Sequence, residues 1–235
     1  METYIAIDLE TTGLSPKQDR IVEIGAVRVE DGQITDELKL FVDPGRELPA
    51  RITELTGITQ DMLKDAVSQE TAIRQVTDFC EDLVLLGHNI LFDYSFLKRS
   101  AVNHGLPFVH QGIDTLKLAR HFLPDAESRR LEDLCTYYHI ETAHHHRAVD
   151  DAIASKCLYD CLRGQFLEGH EAYFAPGELI YEVKRENPAT AAQKRYLNDL
   201  IKYHKIAIDY AVDQLTKNEA SRKIDQILLT YGRIR

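Results

Sequence analysis

The chain opens with a short apolar run, Tyr4-Ile5-Ala6-Ile7, which carries Asp8-Leu9-Glu10 and breaks at Thr11-Thr12-Gly13. Such a run, ended by a turn, predicts a buried strand. Residues 21–30 and 33–42 are strand-like and flank Asp31-Gly32, a dipeptide that predicts an antiparallel hairpin. A helical turn at residues 53–57 stops at Gly57. Residues 69–82 then repeat apolar positions at helical spacing, with Ile73, Val76, Phe79, Cys80 and Leu83 on one face. A second apolar run, 83–87, predicts a strand that delivers His88-Asn89-Ile90-Leu91-Phe92-Asp93 to the start of a helix. Further helices are expected over 114–122, over 131–138, and from the His144-to-Ala152 segment to about residue 163.

Strands followed by helices interleaved with at least one more strand imply an α/β domain with a mixed sheet. Its expected extent is residues 1–165. Residues 166–188 weaken the pattern and contain Pro176-Gly177 and Asn187-Pro188, so they read as a linker with some ordered pieces. Residues 189–235 read as a small helical module. Thr190 with Gln193 and Thr216 with Glu219 form capping-box patterns, and Ala220, Ile224, Ile227, Leu228 and Tyr231 make one apolar face.

Composition narrows the picture. The 235 residues are 44% hydrophobic and can bury one sizeable core. No apolar run is long enough to cross a bilayer and the N-terminus has no leader pattern, so a soluble, cytoplasmic protein is expected. Net charge is −10, divided unevenly: residues 1–170 hold 17 Lys plus Arg against 29 Asp plus Glu, whereas residues 171–235 hold 11 against 9. An acidic first part argues against loose coating of nucleic acid, but not against a site that meets phosphate through metal ions. Cys80, Cys135, Cys157 and Cys161 form no CxxC pair and read as reduced core residues, so zinc is not expected.

Asp8 and Glu10, two apart on a strand, point to the same side of the sheet. Alone they would pass for solvated charges on an edge strand. Asp93 at a helix start and Asp151, five residues after His146, add acids at the ends of separate elements. Four carboxylates in one place suit two divalent cations about 4 Å apart, the arrangement for in-line attack at phosphorus. A nearby imidazole can take a proton from the attacking water. Oxygen-rich ligands favour Mg²⁺ or Mn²⁺. The chemistry expected is phosphodiester hydrolysis.

Asp8-Leu9-Glu10-Thr11-Thr12-Gly13, His88-Asn89 through Phe92-Asp93, and His146-Arg147-Ala148-Val149-Asp150-Asp151-Ala152 resemble, in order, the three motifs of the DEDDh exonucleases. This is the family of the proofreading epsilon subunit of bacterial DNA polymerase III. The resemblance covers residues 3–163. It extends to Leu55-Thr56-Gly57-Ile58, Ile113-Asp114-Thr115-Leu116 and Leu131-Glu132-Asp133-Leu134-Cys135. It implies a ribonuclease H-like fold and a 3′ to 5′ exonuclease releasing nucleoside monophosphates. By motif position, Asp8, Glu10, Asp93 and Asp151 would be the metal ligands and His146 the general base. Thr11, Thr12, Gly13 and Leu14 would lie at the terminal nucleotide, with Leu14 against the last base. His88 and Asn89 would lie near the phosphate backbone or support the site.

Spacing alone equally allows a His145–Asp150 register; Ala148 and Ala152 match the family pattern for His146–Asp151. No tyrosine precedes either aspartate in this segment, which disfavours the tyrosine-using branch. His104, His110, His121 and His139 stand singly, and Lys98-Arg99 and Arg129-Arg130 read as solvated charge or phosphate contacts. In the tail, Thr190, Gln193, Tyr196 and residues 215–221 resemble a small helical module appended to DNA-metabolism proteins. Gln226, Leu229 and Tyr231 resemble a sliding-clamp peptide, overlapping the core-facing stripe. The partners expected are therefore single-stranded DNA or 3′ ends, with a replicase or sliding clamp through the tail. An exoribonuclease with the same fold and a catalytically silent 3′-end-binding module are the competing readings.

Overall fold

The computed structural model describes residues 3–142 and 146–234. In chain order the elements are β1 (Thr3–Thr11), β2 (Ile21–Glu30), β3 (Gln33–Phe41), α1 (Ala50–Thr56), α2 (Gln69–Cys80), β4 (Val84–Gly87), α3 (Ile90–Asn103), β5 (Gln111–Asp114), α4 (Thr115–Phe122), α5 (Leu131–Tyr138), α6 (Ala148–Phe166), α7 (Glu171–Phe174), β6 (Gly177–Glu178), α8 (Ala191–His204) and α9 (Lys217–Tyr231). The chain divides into two compact units, Met1–Pro44 with Leu48–Val183, and Gly45–Glu47 with Lys184–Arg235.

The first unit is a mixed six-stranded sheet in the order β3-β2-β1-β4-β5-β6. The Asp31-Gly32 turn, both residues at positive φ, joins β2 antiparallel to β3. β1 lies between β2 and β4, antiparallel to the first and parallel to the second. It is therefore an interior strand over Tyr4 to Ala6, and Asp8 and Glu10, which follow, are raised in pKa chiefly by burial rather than standing as solvated edge charges. Helices cover both faces, which explains why β1 reads as a near-continuous apolar run. Ile5, Ile7 and Leu9 pack with Ile73 and Val76 of α2 and Tyr94 and Leu97 of α3. Tyr4 and Ala6 pack on the other face with Leu158 and Leu162 of α6 and Leu118 of α4. Asp8 and Glu10 continue the second set and emerge beside the N-terminal end of α6.

β1 pairs with β4 only as far as Ala6 opposite Leu86, and so runs on beyond its parallel neighbour. That overhang is where backbone groups are left for side chains to satisfy.

Within residues 166–188 the ordered pieces are extensive. α6 runs to Phe166, Phe174 is buried against Phe122 and Tyr159, and Gly177–Glu178 pairs antiparallel with β5 as a sixth strand. Residues up to 183 belong to the first unit. A two-residue strand carries no periodicity, so nothing in the pattern marks it.

The second unit has its own small core of Ala189, Leu197, Leu200, Val212, Leu215, Ala220 and Ile227. Both capping boxes form: Thr190 with Gln193 starts α8, and Thr216 with Glu219 starts α9. Residues 45–47 join this unit, with Arg46 bridging Tyr210, which the sequence does not signal. Tyr231 is not on the core face: it is 54% exposed, and Leu229 is 92% exposed. Among the described residues no helix is long and apolar enough to cross a membrane.

Candidate active site

Asp8 and Glu10 lie where β1 outruns β4 but is still paired with β2, opposite Gly25 and Glu23, and a register shift follows between Glu10 and Thr11. Asp93, in the first turn of α3, is buried and accepts the Leu9 N–H through Oδ1 at 3.1 Å. The strand overhang and the helix start thus hold each other. Asp151, in the first turn of α6 and also buried, accepts the His146 N–H through Oδ2 at 3.1 Å. That bond closes a loop in which His146 takes a left-handed φ of 62°.

One ligand atom each from Glu10, His146 and Asp151 lie within 4.8 Å of one another. Asp8 is pushed well above the usual carboxylate range, first by burial and then by Asp93, Asp151, Glu10 and Glu23. Burial likewise lifts Asp93, although its backbone hydrogen bonds oppose this. Glu10 is pushed up to about 8 by burial, Asp151 and Glu23, against the pull of Arg147. Acids that raise one another in this way mark a place for a cation. The donors are mainly hard oxygens, so the residues fit Mg²⁺ or Mn²⁺.

The acids open into a cleft of about 850 Å³ whose wall includes Asp8, Glu10, His146 and Asp151 together with Arg120, Arg129 and Arg130. Leu55, Leu116 and Leu131 lie along the same wall. Asp93 stands behind Leu9 rather than in the wall. Asp150 is half-buried, and His144 and His145 lie outside the described residues, so only the His146–Asp151 register can be compared with the structure.

The other expected site residues divide into supports and exposed groups. Thr11 Oγ1 donates to the Gly13 carbonyl at 2.7 Å, and Thr12 Oγ1 donates to Asp19 and accepts the Arg20 N–H. A Cβ on Gly13 would meet the Asp19 carboxylate at 2.6 Å, so glycine is what lets the turn close. Both hydroxyls are thus spent inside the turn, while Leu14 projects with 79% exposure. None of Thr11 to Leu14 lines the cleft among the described residues.

His88 lines it, but its ring is engaged on both sides, Nδ1 with Thr115 Oγ1 at 2.9 Å and Nε2 with the Arg129 carbonyl at 2.8 Å. Burial lowers its pKa, so the neutral ring donates from Nε2 and ties the 129–130 loop to the sheet. Asn89, at φ 70°, lines the cleft, and its N–H donates to Asp114, which also caps α4. Burial raises the Cys80 and Cys135 thiols to about 12 and about 11, leaving little reactive thiolate.

One residue beside the site, Glu23, carries no motif in the sequence. Glu23 on β2 faces Glu10 across the strand pair and is 0% exposed, in an ion pair with Arg147 at 2.7 Å. A lone acid inside the apolar run Ile21-Val22-Glu23-Ile24 was the available signal.

Residues 5–159 match the exonuclease family RNase_T. The chain belongs to the exonuclease family. Among its exonuclease relatives is a DNA polymerase III PolC-type from Bacillus subtilis (strain 168), 42% identical over 161 residues, which are 67% of this chain and 11% of that protein. A PolC-type polymerase from Pediococcus pentosaceus is 36% identical over 218 residues, 92% of this chain and 13% of that protein. The chain therefore spans only about a tenth of the length of these relatives. Exonuclease X, solved in complex with 5′ overhanging duplex DNA, superposes with a TM-score of 0.56 at 27% identity, covering 71% of this chain and 93% of that one. An exonuclease I structure superposes with a TM-score of 0.65 at 14% identity, covering 97% of this chain and 67% of that one, a likeness of fold. The chain is thus a member of the exonuclease family with a ribonuclease H-like fold.

Proposed function

We propose that this chain hydrolyses phosphodiester bonds from the 3′ ends of single-stranded or frayed DNA and releases nucleoside 5′-monophosphates, in proofreading or repair. The observation that carries the reading is the convergence of Glu10, His146 and Asp151 within 4.8 Å, with Asp8 and Asp93 close enough to act on one another, beside a cleft of about 850 Å³. Asp8, Glu10, Asp93 and Asp151 would hold divalent cations, Mg²⁺ or Mn²⁺. When bound, such ions neutralise the phosphate, lower the pKa of the attacking water and stabilise the leaving oxygen.

The chain's own residues do the rest. His146 accepts a proton from the water at a ring nitrogen as the new O–P bond forms. The bond from phosphorus to the 3′ oxygen of the preceding nucleotide breaks, and that oxygen takes a proton from solvent. Asp151 holds the His146 backbone through its N–H. Asp93 holds the end of β1, so that Asp8 and Glu10 stay in register with the strand. Leu14 provides an exposed apolar face for the last base, and Arg120 and Arg130 meet phosphates further along the strand.

DNA is favoured over RNA because the relatives are DNA polymerases and exonuclease X was solved with DNA. Replicase or sliding-clamp contact through the tail is part of the same proposal; Gln226, Leu229 and Tyr231 are all exposed on α9, as docking would require.

The test is a time course on matched 5′-labelled DNA and RNA oligonucleotides with Mg²⁺ or EDTA. A DNA ladder shortening from the 3′ end only with metal is expected. Faster RNA cleavage would move the assignment to an exoribonuclease, and 3′-end binding without cleavage to a silent binding module.

A further inference from the structure

Glu23 is fully buried beside the acid cluster, yet the proposed chemistry gives it no part. Its carboxylate accepts the Arg147 Nε–H at 3.2 Å on each oxygen, the Arg147 Nη2–H at 2.7 Å on Oε1, and the Ala148 N–H at 3.2 Å on Oε2. All these donors belong to the two residues that directly follow His146. The side chain of Arg147, at the start of α6, makes no capping hydrogen bond to its own helix. Glu23 therefore supplies from β2 the acceptor that the first turn of α6 lacks. The guanidinium also lies 5.5 Å from the centre of the Phe41 ring, so β2 and β3 both grip it.

Two consequences follow for His146 and Asp151. A left-handed residue other than glycine is strained and persists only where its surroundings hold it. His146 is held by Asp151 from within its loop, and the chain immediately after it is held by Glu23 from the sheet. The second consequence is electrostatic. Glu23 and Glu10 stand opposite each other on paired strands, where like charges repel. The Arg147 guanidinium, 2.7 Å from Glu23, offsets the charge of that acid, so the charge left for a cation is that of the cluster itself.

We propose that Glu23 and Arg147 form a positioning pair that sets His146 and Asp151 against Glu10. This rests on the reading of those three residues as base and metal ligands. A buried pair is weak evidence of stability, because well-packed apolar replacements are often as stable. Positioning and stability can therefore be separated.

The experiment compares the full chain with Arg147→Met, Arg147→Lys and the double variant Glu23→Met/Arg147→Met. It measures Tm, kcat and KM on a 5′-labelled single-stranded DNA with saturating Mg²⁺, and Mn²⁺ binding to the metal-free protein by calorimetry. Arg147→Met is expected to lower kcat roughly 10–100-fold, the usual cost of removing a group that orients a ligand, with KM changed less than about twofold. Mn²⁺ binding weakens, and Tm falls because Glu23 is left buried without its countercharge. The double variant regains Tm but not kcat. Arg147→Lys, with one donor group in place of a planar fork, falls between Arg147→Met and the unaltered chain in kcat. If Arg147→Met does not fold, the double variant, which buries no charge, gives the same comparison. Recovery of kcat together with Tm in the double variant overturns the proposal, as does an Arg147→Met protein with unchanged kcat and Mn²⁺ binding. Should the unaltered chain not hydrolyse DNA at all, the functional reading fails, whereas the Mn²⁺ titration still reports whether the pair sets the cluster.

Discussion

The carboxyl groups at the end of β1 raise one another, and the consequence can be read from pH. Glu10 stands at about 8 against an ordinary 4.5, with burial the largest cause. A carboxyl whose pKa is higher folded than unfolded binds more protons in the folded state, so stability falls as pH rises between the two values. For Glu10 that window runs from 4.5 to about 8, and Asp8 and Asp93, also raised, act in the same direction. The metal-free protein should therefore lose Tm from about pH 5 to pH 8, and Mg²⁺ or Mn²⁺ should flatten the slope by binding the ionised cluster. Glu10→Gln should remove part of the slope without metal. Thermal melts across pH, with and without EDTA, check this; a metal-free Tm that rises over the window would contradict it. At this scale the spacing of Asp8, Glu10, Asp93, His146 and Asp151 was visible because each sits at an element end in a recognisable motif. Glu23 was not visible, since its meaning depends on Arg147, 124 residues away.

Among the elements, the seating of α6 on β2 decides where the third motif falls. Gly25 lies opposite Asp8 on the paired strand, and a Cβ there would overlap the backbone at Val149 N and the Ala148 carbonyl carbon. Backbone cannot swing aside as a long side chain can. Gly25→Ala should therefore shift the start of α6, destabilise the chain by about 1–3 kcal/mol or more, and reduce hydrolysis further than the stability loss explains. Urea unfolding and kcat measured at a temperature where the variant is folded check both parts; unchanged values would mean that α6 adjusts freely. The hairpin and the two capping boxes were legible because a few adjacent residues determine them. β6 was not, because Gly177–Glu178 acquires its strand geometry only by pairing with β5. Tyr231 was assigned to the apolar stripe by helical spacing, but α9 ends at that residue, and it projects from the core instead.

The molecule as a whole divides its charge between its units. Residues 184–235 carry 11 Lys plus Arg against 6 Asp plus Glu, while the remainder holds 17 against 32. All the acids of the candidate site, and His146, lie in the first unit, which has its own core on both faces of the sheet. A chain ending at Val183 should fold cooperatively and keep kcat on short oligonucleotides, while losing affinity for longer strands most clearly at low salt, where the basic tail contributes most. Circular dichroism melts and salt titrations of binding test this; a truncated chain with no activity on short strands would place part of the site in the second unit. The breaks at Pro176-Gly177 and Asn187-Pro188 are the only local signals of a division in this part of the sequence. Its true position, after Val183, depends on long-range pairing that no local pattern records.

The most direct measurement compares hydrolysis of a 5′-labelled single-stranded DNA by the unaltered chain, Asp8→Asn and His146→Ala, each with Mg²⁺ at pH 7.5 and each shown to be folded by its thermal melt. The expected outcome is a ladder from the 3′ end with the unaltered chain, none with Asp8→Asn, and a rate lower by roughly 10²–10⁴-fold with His146→Ala. An Asp8→Asn protein that cuts at the unaltered rate would contradict the assignment of the acid cluster as the catalytic centre.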